Sequence, residues 1–244
     1  MLEKKFVHTF KSKNFDNRSK KSKIKYIILH YTETKNLNDA IKLLCSKKRK
    51  VSAHYVIDLD GKIYLLVEDT KRAWHAGLSS WKNEKYLNET SIGIEIVNEG
   101  EQKKKKYPKI QIKSVILLLK YLKNKFQIRK PNILAHSDIA PTRKIDPGVF
   151  FPWEELAKNS LSNFSKIKKE KNDFDMLTPK ELVFFFNCLK IFGFNETLIN
   201  GSFSENKLIS NAFHRHYFPQ LINKKPRKIS VRLIKKIINL TKNI

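Results

Sequence analysis

Cysteine is almost absent from this chain, whose 244 residues include two, Cys45 and Cys188. They lie far apart, so they form neither a disulfide framework nor a CxxC metal site, and we expect both to be buried thiols. No apolar run approaches the roughly 18 residues that a membrane-spanning helix needs. The N-terminal segment lacks the apolar core of a signal peptide. We therefore expect a soluble chain without a transmembrane segment.

Acidic residues are also scarce, because 23 Asp and Glu stand against 50 Lys and Arg and leave a net charge of +27. Such a charge attracts polyanions, among them nucleic acid, an anionic membrane surface and a carboxylate-rich cell wall. Charge does not choose among these, and a general drift of composition towards lysine is the alternative. The chain has neither a recognition-helix signature nor an RNP motif, so we expect no nucleic-acid partner.

Strand and helix patterns alternate over residues 24–159, which predicts an α/β domain with a mixed sheet and flanking helices. A polar, basic extension over residues 1–23 precedes it, and the first core element is an apolar, β-branched strand over 24–31. The later elements are a helix over 36–50, a hairpin that turns at Asp60–Gly61, a strand over 91–98, a helix over 110–126 and a short strand that runs into a loop over 133–138.

Residues 160–175 are polar and charged, which is typical of a linker between domains. Three helical patterns follow and predict a small three-helix domain over residues 176–244. The first helix has Thr178 as its N-cap, Pro179 as its first helical residue and Glu181 in position for a capping box. We expect this second domain to be separable from the first.

Three side chains with metal-binding chemistry lie at predicted strand ends and at a stiff turn. His30 and His136 each end a core strand, and Asp146 precedes Pro147–Gly148, a turn that fixes the direction of its carboxylate. Two imidazoles and one carboxylate are a known ligand set for a catalytic zinc that keeps one position open. A structural role is the alternative for either histidine alone. The three residues together predict a zinc site.

Glu95 lies between two isoleucines in a predicted core strand. An acid in so apolar a strand must be paired, have a raised pKa or act in catalysis. A general base beside a metal needs such surroundings, and the alternative is a buried salt bridge to Lys144 or Arg143. Lys144 lies two residues before Asp146, so in an extended segment it faces the same side and could stabilise an oxyanion. The alternative for Lys144 is a solvated surface lysine.

Five segments resemble, in this order, the type-2 N-acetylmuramoyl-L-alanine amidases, whose fold is shared with peptidoglycan recognition proteins and some phage lysins. The segments are LHYT (29–32), SAHYVIDLDG (52–61), AWHAGLSSW (73–81), LNETSIGIEIVN (87–98) and AHSDIAPTRKIDPGVFFPW (135–153). Together they extend over the whole first domain. Within the family, the envelope subgroup named AmiD is the most similar, and the last domain resembles its peptidoglycan-binding helical domain more loosely.

The resemblance implies that His30, His136 and Asp146 bind one zinc ion per chain, that Glu95 activates water and that Lys144 stabilises the transition state. The activity implied is zinc-dependent hydrolysis of the amide between N-acetylmuramic or anhydro-muramic acid and L-Ala of the stem peptide. Peptidoglycan or a muropeptide is then the partner, and no organic cofactor is needed. A non-catalytic peptidoglycan recognition module is the alternative.

We predict a substrate groove lined by aromatic and polar side chains, because aromatic faces stack on sugar rings and an imidazole bonds amides or carboxylates. Its predicted residues are Tyr31, Trp74, His75 and Asn88. We expect Trp81 to be a core residue, and His54 either orients a ligand or fills the core. His214 and His216 are two residues apart and not on one helix face, so we expect no metal there.

Two departures from the family bear on location and on the type of site. AmiD proteins are exported lipoproteins, whereas this chain shows no lipobox cysteine. The resemblance implies the cell envelope or periplasm, and the cytoplasm is the alternative. Phage lysins have a tyrosine where this chain has Ala53, which argues against a phage-type site. The resemblance also implies that residues 176–244 bind peptidoglycan, and the alternative is that they buttress the first domain.

Overall fold

The computed structural model describes residues 6–195 and 202–242, and its centre is a five-stranded sheet. The strands are β1 (Phe15–Asn17), β2 (Tyr26–Tyr31), β3 (Tyr55–Ile57), β4 (Ile63–Leu65), β5 (Lys71–Ala73), β6 (Ser80–Trp81), β7 (Glu84–Lys85), β8 (Ser91–Ile96) and β9 (Ile133–Ala135). The helices are α1 (Leu37–Leu44), α2 (Lys109–Lys125), α3 (His136–Ile139), α4 (Trp153–Lys158), α5 (Pro179–Phe192), α6 (Phe203–Tyr217) and α7 (Lys228–Lys242).

The central sheet has the strand order β4–β3–β8–β2–β9 and is mixed. β3, β8, β2 and β9 are parallel, and β4 is antiparallel to β3, with which it forms the predicted hairpin. The register places His30 beside Glu95, and Leu29 beside Ala135. Because parallel strands end at the same edge, the residues that follow β2 and β9 meet there, as ligand-binding residues commonly do in α/β sheets.

Both faces of the sheet are covered, as the continuous apolar run of β2 predicts. Ile27 and Leu29 face one way and pack with α2, whose Val115 and Leu119 are fully buried. Tyr26 and Ile28 face the other way. Each large side chain buried in this manner stabilises the fold by about 1.5–3 kcal/mol. His30 continues the second face at the end of the strand.

The N-terminal segment is part of the folded domain, so the expectation that the core begins at residue 24 is wrong. Phe6 is buried in the main cluster, and β1 pairs with β5. Arg18 donates hydrogen bonds to three backbone carbonyls of the segment 88–91. A basic, polar segment carries no apolar periodicity, so the sequence gives no sign that its side chains find buried acceptors elsewhere in the chain.

The three C-terminal helices form as predicted, and Thr178 and Glu181 make the capping box that begins α5. Their apolar faces, however, share one core with the sheet. Phe185 and Phe213 lie in the same cluster as Ile28. The expectation of an independent helical core is therefore wrong, because helical periodicity shows that a face is buried and not what covers it.

The predicted linker lies along the contact between the helices and the rest of the domain. Leu161 belongs to the main core, and Asp173 is 1% exposed and pairs with Arg232 of α7. Leu161, Ser162, Asn163 and Asp173 are buried, whereas most of residues 166–175 are exposed, so the segment is anchored at a few points rather than free along its length. Of the two cysteines, Cys188 is buried as expected and Cys45 is half-buried. Within the described residues, no helix has the length and apolarity needed to span a membrane.

Candidate metal centre and active site

His30, His136 and Asp146 converge at the carboxyl edge of the sheet and are all buried. His30 Nδ1 lies 2.9 Å from His136 Nδ1 and 3.0 Å from Asp146 Oδ2, and His136 Nδ1 lies 2.9 Å from the same oxygen. His136 begins the one-turn helix α3 directly after β9, where we had predicted the end of a strand running into a loop. The predicted trio is thus one cluster.

The orientation of the His136 ring follows from its second nitrogen. His136 Nε2 lies 3.2 Å from the carbonyl oxygen of Ala76. A carbonyl accepts hydrogen bonds and cannot donate them, so Nε2 carries the proton and Nδ1 presents a lone pair to the cluster. Metal-binding histidines typically donate their other N–H to a backbone carbonyl or a carboxylate in this way.

The donor set fits a zinc ion. Burial lowers the pKa of His30 to about 4, so this ring is neutral at neutral pH. Burial tends to raise the pKa of Asp146, but the neighbouring His136 and His30 rings outweigh it and hold the pKa below its usual range. The cluster therefore gathers neutral nitrogen and anionic oxygen donors, the three-ligand set of catalytic zinc sites.

Glu95 lies on β8 directly beside His30 in the sheet and lines the same cavity as His30, His136 and Asp146. Its Oε2 atom is buried and has no hydrogen-bond partner among the described residues. Burial, and then the charge of Asp146, raise the pKa of Glu95 well above its usual value, against an opposing contribution from Lys144. Such a side chain has a free acceptor and a raised basicity, as a general base requires.

The cavity has a volume of about 300 Å³, and its lining includes the His30, His136 and Asp146 cluster, Glu95 and Lys144. Lys144 thus faces the same space as Asp146, as its spacing predicts. Arg143 also lines the cavity, and its guanidinium donates to the carbonyls of Ala76 and Leu78, with Nε 2.9 Å from the Leu78 oxygen. Arg143 is therefore not the partner of Glu95, and Arg143 and Lys144 both bring positive charge to the cavity.

Three of the four predicted substrate-binding residues, Tyr31, Trp74 and His75, line the cavity. His75, however, has both ring nitrogens engaged, since Nδ1 lies 3.0 Å from His30 Nε2 and Nε2 lies 3.2 Å from Ser91 Oγ. The expected bond from His75 to substrate is therefore contradicted by its contacts. A free ring nitrogen would be needed to bind an amide or carboxylate.

Asn88 does not line the cavity, which corrects its prediction as a substrate-binding residue. Its Oδ1 accepts hydrogen bonds from the backbone N–H groups of His75 and Ala76, at 3.1 and 2.7 Å. Asn88 thus holds the backbone whose carbonyl orients His136. A polar residue in a motif segment looks the same in sequence whether it faces substrate or backbone.

The structure also bears on the predictions for Trp81 and His54. Trp81 is fully buried and packs edge-on against Phe192 and Phe194, which confirms that it is a core residue. His54 is also fully buried, accepts a hydrogen bond from the Gly93 N–H at 3.0 Å, and has its ring centre 5.6 Å from that of His75. Burial lowers the pKa of His54 to about 3. His54 therefore both fills the core and supports His75.

Helix α6 contributes residues that the sequence analysis missed. His216 Nδ1 lies 2.8 Å from Asp138 Oδ2, and the same oxygen accepts the Ala135 N–H at 2.8 Å. Arg215 donates to both oxygens of Glu101, at 2.8 and 3.2 Å. Glu101 Oε2 in turn accepts the N–H of Val149 at 2.9 Å, three residues after Asp146. Two neighbouring residues of α6 thus brace the segments that carry His136 and Asp146.

The sequence signal for this brace is weak. Arg215 and His216 interrupt an apolar stretch of a predicted helix, and His216 stacks on Trp153 with ring centres 3.6 Å apart. A polar pair in such a stretch indicates buried partners without naming them. His214 bonds Ser230 within the helical layer, at 2.9 Å, so its contact differs from that of His216.

Comparison with known proteins places this geometry in a family. Residues 20–149, more than half of the chain, match the family of N-acetylmuramoyl-L-alanine amidases. The chain belongs to the N-acetylmuramoyl-L-alanine amidase family. The match includes His30, His136 and Asp146, together with Glu95 and Lys144, so the fold and family that the five sequence segments indicate are confirmed.

Relatives of this amidase family extend the match to most of the chain. AmiD of Escherichia coli is 32% identical over 219 residues, which are 82% of this chain and 77% of that protein. The structure of E. coli AmiD in complex with anhydro-N-acetylmuramic acid-L-Ala-D-γ-Glu-L-Lys is similar with a TM-score of 0.80 and 26% identity, over 92% of this chain and 93% of that one. AmpD of Haemophilus influenzae is 39% identical over 107 residues, 43% of this chain and 56% of that protein.

Proposed function

We propose that this chain is a zinc-dependent amidase that cleaves the amide between N-acetylmuramic or anhydro-N-acetylmuramic acid and L-Ala of a peptidoglycan stem peptide. One observation carries the proposal: the buried His30, His136 and Asp146 cluster opens into the same cavity as the unpartnered Oε2 of Glu95. Membership of the amidase family supports the reaction. A recognition module that only binds its ligand has no use for an unpaired carboxylate in this position, so the non-catalytic alternative is not favoured.

Each residue of the cavity has a distinct task in this proposal. Zinc, when bound by His30, His136 and Asp146, supplies a Lewis acid that activates water and polarises the scissile carbonyl. Glu95 accepts the proton of the attacking water and returns it to the leaving amine. Lys144 stabilises negative charge as it develops on the carbonyl oxygen. Tyr31 and Trp74 offer aromatic faces to the sugar or the peptide.

Mass spectrometry of products from a defined anhydro-muropeptide tests the reaction and the metal together. We expect free stem peptide, no product after chelation, and recovered activity when Zn²⁺ is restored. Replacement of His30, His136 or Asp146 by Ala removes one of three protein ligands, so bound zinc and activity are both lost. Full activity in a zinc-free His136→Ala protein contradicts the metal assignment.

Glu95→Gln tests the general base. Glutamine is nearly the same size as glutamate but does not accept a proton at neutral pH, so we expect zinc to stay bound while turnover falls by about 10²- to 10⁴-fold. Glu99→Gln is the matched control, because Glu99 pairs with Lys105 outside the cavity at 3.3 Å. Loss of zinc from Glu95→Gln shows instead that Glu95 is a metal ligand.

The substrate class and the cellular location form a further part of the proposal. E. coli AmiD has been solved with an anhydro-muramyl tripeptide, and we propose that this chain accepts the same class of muropeptide. Comparing turnover of that muropeptide with release of peptide from intact sacculi measures the preference. We also propose a location in the cell envelope, which fractionation of producing cells tests. Recovery of the protein with the cytoplasm contradicts it.

A further inference from the structure

A chain of hydrogen bonds leads from His30 away from the metal cluster and into the sheet. His30 Nε2 lies 3.0 Å from His75 Nδ1, His75 Nε2 lies 3.2 Å from Ser91 Oγ, and Ser91 Oγ donates to the carbonyl oxygen of Leu87. We propose that His75 and Ser91 are positioning residues that hold His30 in the tautomer with a lone pair at Nδ1, ready to bind zinc. This inference rests on the proposed function, since it concerns how the chain prepares its metal site.

The donor-to-acceptor direction of these hydrogen bonds follows from the Leu87 carbonyl, the partner furthest from His30. The Leu87 carbonyl only accepts, so the single hydroxyl proton of Ser91 is used there. The contact between Ser91 Oγ and His75 Nε2 then requires a proton on that nitrogen. A neutral imidazole with a proton on Nε2 has a lone pair on Nδ1. His75 Nδ1 therefore accepts from His30 Nε2, and His30 Nδ1 is left with a lone pair facing the cluster.

The buried surroundings of His30 and His75 favour neutral rings. His75 is 8% exposed and His30 is 1% exposed. The two nitrogens of His75 contact a ring nitrogen and a hydroxyl, neither of which carries a negative charge. Burying an added proton's charge at His75 without a counterion is costly. With neutral rings and one proton per contact, both nitrogens of His75 and Nε2 of His30 are satisfied.

Three residues of strand β8 accommodate this series of hydrogen bonds. Ser91, Gly93 and Glu95 alternate along it and so lie on one face of the sheet. A β-carbon at Gly93 would lie 2.6 Å from His75 Nδ1, too close for any side chain but hydrogen. Ser91 thus accepts the hydrogen bond from His75 Nε2, Gly93 leaves space for the His75 ring, and Glu95 places its carboxylate in the cavity.

The two histidine ligands are therefore oriented by different means. The proton of His136 Nε2 goes directly to the backbone carbonyl of Ala76, which no substitution at position 76 removes. The proton of His30 Nε2 goes to a side chain, so its acceptor can be deleted. Partners of this kind typically change metal affinity by about 10- to 100-fold when they are lost. His75 is the residue at which this contribution can be measured.

Zinc affinity, measured on the purified full chain by competition with a chromophoric chelator, tests the inference. His75→Leu removes the acceptor, and we expect zinc to bind about 10- to 100-fold more weakly. His75→Asn places an amide oxygen near the position of Nδ1, and we expect it to recover most of that affinity. His214→Leu is the matched control, because His214 is also fully buried and bonded to a serine, but lies in the helical layer.

The outcomes separate positioning from packing. Weakened zinc binding in His75→Leu, recovery in His75→Asn and no change in His214→Leu support the proposal. Equal zinc affinity in wild type and His75→Leu, or equal weakening in folded His75→Leu and His75→Asn, overturns it. If His75→Leu does not fold, Ser91→Ala replaces it, since the serine keeps the His75 proton on Nε2. Unchanged zinc binding in Ser91→Ala then overturns the role of Ser91.

A measurement without metal distinguishes failure of this inference from failure of the proposed function. The ¹⁵N chemical shifts of histidine rings show which nitrogen carries the proton. We expect the zinc-free wild-type chain to hold His30 protonated at Nε2, and a proton on Nδ1 overturns the inference. A chain with the expected tautomer that binds no zinc contradicts the proposed function and leaves the hydrogen-bond chain intact.

Discussion

His30 lies on a central strand, whereas His136 and Asp146 lie on short segments beyond the end of the sheet. β2 is paired on both sides, with β8 and β9, so the backbone of His30 is held by two ladders of hydrogen bonds. The segments of the other two ligands have a four-residue helix and a loop for support. Their extra support comes from Arg215 and His216 of α6. The comparison indicates that loop-borne ligands depend on the helical layer in a way that the strand-borne ligand does not.

We expect the largest effect from a chain that ends after Asn159. The cut removes the helices that cover Ile28 and Trp81, together with both braces of α6. The cut exposes several large side chains, whose burial contributes about 1.5–3 kcal/mol each, and their loss is comparable with the usual 5–15 kcal/mol of total stability. We expect no cooperative thermal unfolding and no activity on a soluble muropeptide, measured by circular dichroism and product release.

This expectation reverses the one that the polar composition of residues 160–175 suggests. A separable binding domain leaves a truncated protein that folds and cleaves the small substrate at nearly the full rate. That result would restore the two-domain description and show that the shared cluster adds little to stability. The helical layer would then be free to serve wall binding alone.

We expect a smaller effect from His216→Phe, which removes one of the two braces of α6. Phenylalanine keeps a ring against Trp153 but leaves the buried carboxylate of Asp138 without its His216 partner. We expect a loss of about 1–3 kcal/mol in the free energy of unfolding and a zinc affinity weaker by about tenfold. Denaturant titration and chelator competition measure the two effects.

His214→Phe is the control for that variant, because His214 bonds Ser230 inside the helical layer and not the ligand segment. We expect it to lower stability by a similar amount while zinc affinity stays at the wild-type value. Equal weakening of zinc binding by both variants would show that α6 acts through general stability. The comparison between strand-borne and loop-borne ligands would then lose its basis.

The smallest expected effect concerns the outer surface of the helical layer, where we propose that peptidoglycan binds. Lys224 and Lys225 are exposed and lie away from the braces. Their replacement by Gln should weaken sedimentation with purified sacculi a few-fold, and less so at high salt, because stem-peptide carboxylates are screened beyond about 8 Å at physiological ionic strength. Lys20→Gln with Lys21→Gln removes the same charge elsewhere, and equal weakening by it indicates non-specific attraction.

Much of the fold and of the site is predictable from short stretches of sequence. The apolar run of β2, the Asp60–Gly61 hairpin and the capping box at Thr178 each arise from the spacing of neighbouring residues. His30, His136 and Asp146 are predictable because each lies at the end of a strand, follows a strand or precedes a stiff turn, and strand ends of a parallel sheet meet at one edge. Glu95 is predictable as a functional residue because burying an acid between isoleucines costs free energy unless the acid is paired or acts in catalysis.

The other features depend on partners that lie far away along the chain. Asp138 and His216 are 78 residues apart, and Arg18 lies 73 residues from Ser91, to whose backbone it donates. Local periodicity determined which faces of this protein are buried and which residue types end its strands. That the helices complete the sheet's core, that Asn88 bonds backbone and that His75 bonds His30 can be seen from the folded chain alone, because contact partners depend on proximity in space.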